Sequence, residues 1–226
     1  MKGMKRVWQP WVRFWATDKS LSVLLLMLII FGLALPALNI GVSGRSILPD
    51  VIFTLLLISG IAAVWSESRW IFRVVATIAL GALLSRWLAR FISAGAFASW
   101  DAGLDMIALA SLTLVVLTKV LRPGTITSQR IQGAVAVYLL FGLIWANAYE
   151  WTESVHPNAF TGAGTSGASW TYYSFVTLTT MGYGDITPKH PLARSLATAE
   201  ALTGQLYIAI LISRLVALEV AARQNS

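Results

Sequence analysis

Apolar residues along this chain gather into blocks about twenty residues long, the length that crosses a hydrocarbon core about 30 Å thick. Six such blocks are expected to span: about Leu21–Leu38, Leu48–Trp65, Trp70–Phe91, Leu104–Leu121, Ile131–Tyr149 and Pro191–Leu218. Each is expected to be helical, because a backbone in lipid finds no water to satisfy its polar groups. Between the fifth and sixth blocks the pattern changes. Glu150–His190 is rich in Gly, Ser and Thr and holds a helix-like run, Ser169–Thr180, too short to span. A short helix flanked by two spans predicts a re-entrant segment.

Composition sharpens this picture. The chain is 57% hydrophobic and only 12% charged, whereas a soluble domain carries roughly twice that charge. With no cysteine, a disulfide framework and a thiol metal site are excluded. The net charge of +7 is spread between the blocks and not clustered, which argues against a nucleic-acid partner. Twelve of the seventeen Lys and Arg residues fall on the side of the N-terminus and five on the other. The positive-inside rule then puts both termini in the cytoplasm and the re-entrant segment outside. The first block is too long for a cleavable signal core and lacks a small-x-small site. Trp8, Trp11 and Trp15 before it read as an interfacial segment.

The re-entrant stretch ends in Thr180-Met181-Gly182-Tyr183-Gly184-Asp185. This motif, with the preceding Tyr172–Thr179, resembles the pore helix and filter of the potassium-channel family, with Met181 where Val is usual. Stripping water from a cation requires replacement oxygens in rings about an axis, so successive carbonyls must point one way. Gly182 and Gly184 can take the left-handed conformations that this demands. The resemblance implies K+ coordination by the carbonyls of Thr180, Met181, Gly182 and Tyr183, with the Thr180 hydroxyl at the inner end. It further implies that Met181 contributes its carbonyl while its side chain faces the pore helix, and that Tyr183 points into an aromatic collar. Tyr172 and Tyr173 occupy places where relatives often carry tryptophan. Some relatives have a glutamate at the place of Val176, so Tyr172 is the candidate partner for Asp185. One filter copy per chain implies a homotetramer in a lipid bilayer, with no cofactor beyond the permeant ion.

The last block carries the remaining candidates. Gly204 lies nineteen residues after Asp185, where the family often has a hinge glycine; close helix packing is the other reading. Ile208, Ile212 and Val216 share one helical stripe and are expected to line the cavity and gate. Glu200 is an ionisable residue in mid-span, expected to face protein or water and to support the filter, through Thr177 or Thr179 or as a protonated group. Gln205 is expected at the cavity or a neighbouring helix.

The expected fold is thus an all-α membrane protein of six transmembrane helices plus a re-entrant pore helix and filter, assembled as a tetramer. Residues 1–20 form the interfacial segment, 21–122 a four-helix scaffold and 123–226 the pore domain. Six spans with the pore last resemble the voltage-gated architecture, yet the fourth block has Asp105 and no Lys or Arg before Lys119. Steep voltage gating needs about three to four charges per subunit, so weak or absent voltage sensing is expected, with Arg86 and Arg90 paired to Asp101 or Asp105. Eight residues follow Leu218, so no soluble regulatory domain is expected in the chain. The compact, cysteine-free sequence suits a prokaryotic inner membrane. A weakly selective cation channel, if Met181 loosens the filter, and a potassium transport or regulatory subunit are the alternatives. An enzyme is not expected, since His156 and His190 lie in outer loops without a nucleophile or carboxylate constellation.

Overall fold

A computed structural model describes residues 19–34, 47–64, 68–89, 95–122, 127–162 and 167–224. Arg90 and the three early tryptophans lie outside these residues. The chain is mostly helical. Helix α1 (Lys19–Ile29) continues into a single π-helical turn, Ile30–Ala34. It is followed by α2 (Leu48–Val64), α3 (Arg69–Ala89), α4 (Gly95–Leu121) and α5 (Ser128–Val155). A two-residue strand β1 (Phe160–Thr161), α6 (Gly167–Leu178), β2 (Thr187–Pro188) and α7 (Pro191–Gln224) complete the order.

Among the described residues, four helices are long and apolar enough to cross a membrane: Arg69–Ala89, Asp101–Leu121, Ser128–Val155 and Pro191–Arg214. The other two expected spans are shorter. Helix α2 has 17 residues and rises about 26 Å; the first expected block runs past Ala34 into residues outside the described set.

Element boundaries shift for tertiary reasons. Helix α4 begins nine residues before the expected Leu104 and takes in Asp101, which accepts the Ser85 hydroxyl across the helix pair at 2.7 Å. Helix α5 continues past Tyr149 because its polar end is used: Glu153 accepts the backbone amides of Asn158 and Phe160 at 2.8 and 3.2 Å. Thr127 caps the start of α5 by accepting from the Arg130 amide at 3.4 Å, satisfying an otherwise orphaned donor.

Helix α5 is the axis of the fold, with α1, α4, α6 and α7 all packed on it. In lipid, helices associate through close packing and not through expulsion of water. The main core is accordingly tight: Leu24, Leu28, Phe53, Leu56, Leu109, Val116 and Leu140 are fully enclosed. Small residues permit the approach. A Cβ at Gly60 would lie 2.3 Å from Leu112 Cδ2, so α2 and α4 touch there. The outward faces of α2 and α3 stay apolar, at Leu55, Ile58, Leu80, Leu84 and Leu88, as lipid contact requires.

One polar cluster crosses this scaffold. Arg86 Nε lies 2.8 Å from Asp50 Oδ1 and Nη1 lies 2.5 Å from Asp105 Oδ2. Its guanidinium also sits 4.5 Å from the centre of the Phe53 ring. The expected Asp105 partnership is therefore present, whereas Asp101 serves Ser85 and Asp50 takes its place. Asp105 is buried, so removing Arg86 leaves a carboxylate without its cation. Arg86→Met is expected to lower stability by about 3–5 kcal/mol, read as a drop in the detergent melting temperature; an unchanged melting temperature would contradict it.

Candidate functional site

The site is built where α6 stops. Its last turn is continued by the Thr179 amide donating to Phe175 and the Thr180 amide to Thr177, at 3.1 and 2.9 Å. The helix ends at Leu178, before the expected Thr180, because Thr180 adopts φ +59°. Positive φ is uncommon for a β-branched residue and costs on the order of 1–3 kcal/mol.

That turn begins an alternation. Thr180, Gly182 and Gly184 have φ of +59°, +54° and +79°, whereas Met181 and Tyr183 between them do not take positive φ. An extended strand alternates its carbonyls from side to side; alternating the hand of successive residues turns them toward one side. Among the described residues, no hydrogen-bond donor occupies the carbonyls of Thr180, Met181, Gly182 or Tyr183. The segment is held from behind instead. The Val176 carbonyl accepts the amides of both Met181 and Gly182, at 2.9 and 3.3 Å. Val176 therefore acts through its backbone, which no side-chain motif reveals.

The outer end is tied as well. Strand β1 pairs antiparallel with β2, Phe160 opposite Pro188 and Thr161 opposite Thr187. The Ala159 carbonyl accepts the amides of Lys189 and His190. Gly162, at φ +75°, leaves no room for a side chain: a Cβ there would lie 1.9 Å from the Asp185 carbonyl oxygen. Asp185 accepts its neighbour's amide, Ile186, at 3.0 Å, and the Tyr172 phenol is raised above its ordinary range chiefly by the nearby Asp185 side chain. Tyr172 thus stands beside Asp185, the partner expected for it.

Behind the segment lies a second core of Tyr149, Phe160, Trp170, Tyr173 and Ile186. Its rings meet edge to face, Tyr149 and Tyr173 with centroids 4.8 Å apart and Phe160 and Trp170 at 5.0 Å. This is an aromatic collar, but Tyr183 is not in it. Within one chain Tyr183 is 64% exposed and Met181 57% exposed, so their own chain leaves both largely uncovered. Thr177 reaches the Tyr173 phenol, and the Thr179 hydroxyl donates to the Phe175 carbonyl at 2.6 Å.

Neither threonine serves Glu200, contrary to expectation. Glu200 is fully buried. One of its carboxyl oxygens meets the Tyr149 hydroxyl and the other lies 2.5 Å from Ser174 Oγ. Glu200 thus joins α7 to α5 and α6. Tyr149 and Ser174 went unnoticed in the sequence, where the only signal was a mid-span carboxyl in need of partners.

Gly204 is where α7 meets the end of α6. A Cβ at Gly204 would lie 2.3 Å from the Leu178 carbonyl oxygen, and α7 runs through it without a break. Close packing, the second of the two sequence readings, is what the geometry shows. Gln205 Nε2 comes within 3.5 Å of Thr180 Oγ1, at the inner end of the segment. Ile208 and Ile212 are exposed on α7; the Val216 side chain lies outside the described set. Leu202, Leu206 and Ile210 form a second uncovered stripe, which sequence reading did not separate from the first.

Residues 133–220, which hold α6, the 180–185 segment and most of α5 and α7, match the family profile described as ion channel. This part of the chain is similar to ion-channel domains. The inward rectifier potassium channel Kirbac3.1 of Paramagnetospirillum magnetotacticum is 36% identical over 78 residues, covering 33% of this chain and 24% of the relative. The chain thus spans about a quarter of that relative's length. No solved structure matches significantly. Both matches support the potassium-channel family and a membrane protein engaged in ion transport. They point to a channel and not to an enzyme.

Proposed function

We propose that four copies of this chain form a potassium-selective channel whose filter is Thr180–Asp185. The observation that carries this reading is the alternation of positive φ at Thr180, Gly182 and Gly184, beside carbonyls free to receive an ion. One chain supplies one wall, and a ring of oxygens needs the others. The uncovered Met181 and Tyr183, and the two bare stripes of α7, are the surfaces that such neighbours would cover. Potassium is held by the carbonyls of Thr180, Met181, Gly182 and Tyr183, with the Thr180 hydroxyl below them. Ile208, Ile212 and Val216 line the cavity and the apolar constriction. Asp185, Tyr172, Tyr173, Thr177, Thr179 and Glu200 support the filter from behind.

The end of α6 adds to this. The aligned peptide dipoles of the helix leave partial negative charge at that end, which favours a cation in the cavity. All six apolar helices span, both termini are cytoplasmic and the filter opens outward, in a prokaryotic inner membrane. Helices α1–α4 act as a scaffold with weak voltage sensing: Arg86 is fixed between Asp50 and Asp105 and gives no ladder of mobile charge.

A weakly selective cation channel is the second reading, favoured by Met181 itself, whose flexible thioether packs less rigidly than a Val at that place. Purified protein in proteoliposomes separates the two. Potassium release down its gradient, blocked by barium and refused to sodium, is expected. Equal sodium release would favour the second reading, and no release of either ion would contradict both.

A further inference from the structure

Glu200 is fully buried, and its surroundings pose a problem of hydrogen counting. Its Oε2 receives the Tyr149 hydroxyl hydrogen. Its Oε1 lies 2.5 Å from Ser174 Oγ, and the same Oγ lies 2.7 Å from the Gly142 carbonyl oxygen. The serine hydroxyl has one hydrogen, so it can serve only one of these two neighbours. The Gly142 carbonyl has none to give, and an ionised carboxylate has none either. If Glu200 were charged, one pair of oxygens at hydrogen-bond distance would face each other without a hydrogen between them. Tyr149 cannot supply it, since its hydroxyl is committed to Oε2.

The missing hydrogen belongs on the glutamate. We propose that Glu200 is held as a neutral carboxylic acid that donates to Ser174 Oγ, which donates in turn to Gly142, forming a proton-dependent tie of α7, α6 and α5 behind the filter. It deepens the channel reading by giving the filter a regulating proton, yet the tie itself rests on the fold of one chain.

The charges around the site agree. The titratable groups facing Glu200 are phenols: Tyr149 and Tyr138 from α5 and Tyr173 from α6. Among the described residues no Lys, Arg or His pairs with it. A buried carboxylate without a cation is costly, and such a group takes up a proton instead. The consequence for the filter is direct. Ser174 stands two residues before Val176, whose carbonyl holds the amides of Met181 and Gly182. Helix α6 is also pressed on α5, since a Cβ at Gly142 would lie 2.5 Å from the Phe175 ring. When Glu200 loses its proton, the carboxylate and the Gly142 carbonyl compete for one hydrogen, and α6 loses its anchor on one side.

The sign follows from linkage. The tied state holds a proton that the untied and unfolded states release, so its stability is present at low pH and falls as pH rises. Losing one buried hydrogen bond corresponds to about a tenfold change in the population of the tied state. Three measurements on the intact protein test this: potassium flux against pH, melting temperature against pH, and the infrared carboxylic-acid band in a wild-type minus Glu200→Gln difference spectrum. Wild type is expected to show that band at neutral pH and to lose flux and melting temperature on going alkaline. Glu200→Gln, whose amide supplies the same hydrogen and cannot titrate, is expected to show flat profiles. Ser174→Ala keeps the acid but removes its acceptor, so it is expected to shift the band. Absence of the band at neutral pH, a Glu200→Gln profile that follows wild type, or an unshifted band in Ser174→Ala would each overturn the proposal. The infrared and melting measurements need no conduction, so they decide the tie even in a protein that passes no potassium.

Discussion

Gly182→Ala is expected to abolish potassium flux while leaving the helix content and melting temperature nearly unchanged. The reason is conformational and not spatial. Gly182 has φ +54° and nothing within 4 Å of the position a Cβ would take. A side chain there meets its own backbone, at about 1–2 kcal/mol per residue. In the proposed tetramer the same cost arises in every wall, so the conducting arrangement loses about 4–8 kcal/mol, or roughly a thousandfold or more in population. The relaxed alternative turns the 182 peptide and takes a carbonyl out of the ring. Gly81→Ala is the matched control: it also has nothing within 4 Å but lies within α3, where alanine is favoured by about 1 kcal/mol. Flux in Gly81→Ala should match wild type. Wild-type flux in Gly182→Ala would mean that the left-handed alternation is not the filter.

Gly204→Ala should be nearly as damaging, by a different route. The added Cβ would lie 2.3 Å from the Leu178 carbonyl oxygen and 3.0 Å from Leu178 Cδ1. The first neighbour is backbone, so it cannot swing aside as a side chain can; α7 or the end of α6 must move. Overpacking of this kind costs about 1–3 kcal/mol per chain, and the displacement falls on the helix whose last turn positions Thr180 and Met181. Flux is therefore expected to fall about ten- to a hundredfold, with sodium admitted in what remains. A hinge role makes the opposite prediction: altered opening with selectivity intact. Reduced flux with unaltered potassium preference in Gly204→Ala would favour the hinge and count against close packing as the residue's role.

Much of this site was legible because filter chemistry is local. The 180–185 motif needs residues with particular backbone freedom at alternate positions, and Gly182 and Gly184 announce it. The approximate position of α6 and the nearness of Tyr172 to Asp185 were readable for the same reason. What the sequence concealed lies in the backbone or across long separations. The Val176 carbonyl bears no side-chain signature, and the positive φ of Thr180 runs against its β-branched preference. Glu200 finds Ser174 and Tyr149 at separations of 26 and 51 residues, and Arg86 finds Asp50 at 36. Nearer threonines looked equally suitable for Glu200 until the helices were placed. Asp101 inside α4 has the same origin: it is tolerated because Ser85 on the neighbouring helix meets it. Gly162 was overlooked because a loop glycine is ordinary until something passes within reach of its Cβ.

The central claim, that the Thr180–Asp185 segment selects potassium, is tested most directly by the reversal potential of reconstituted channels with potassium on one side and sodium on the other. A reversal far from zero, toward the potassium equilibrium potential and lost in Gly182→Ala, is the predicted result. A reversal near zero with robust current would contradict potassium selectivity and assign the pore to cations in general.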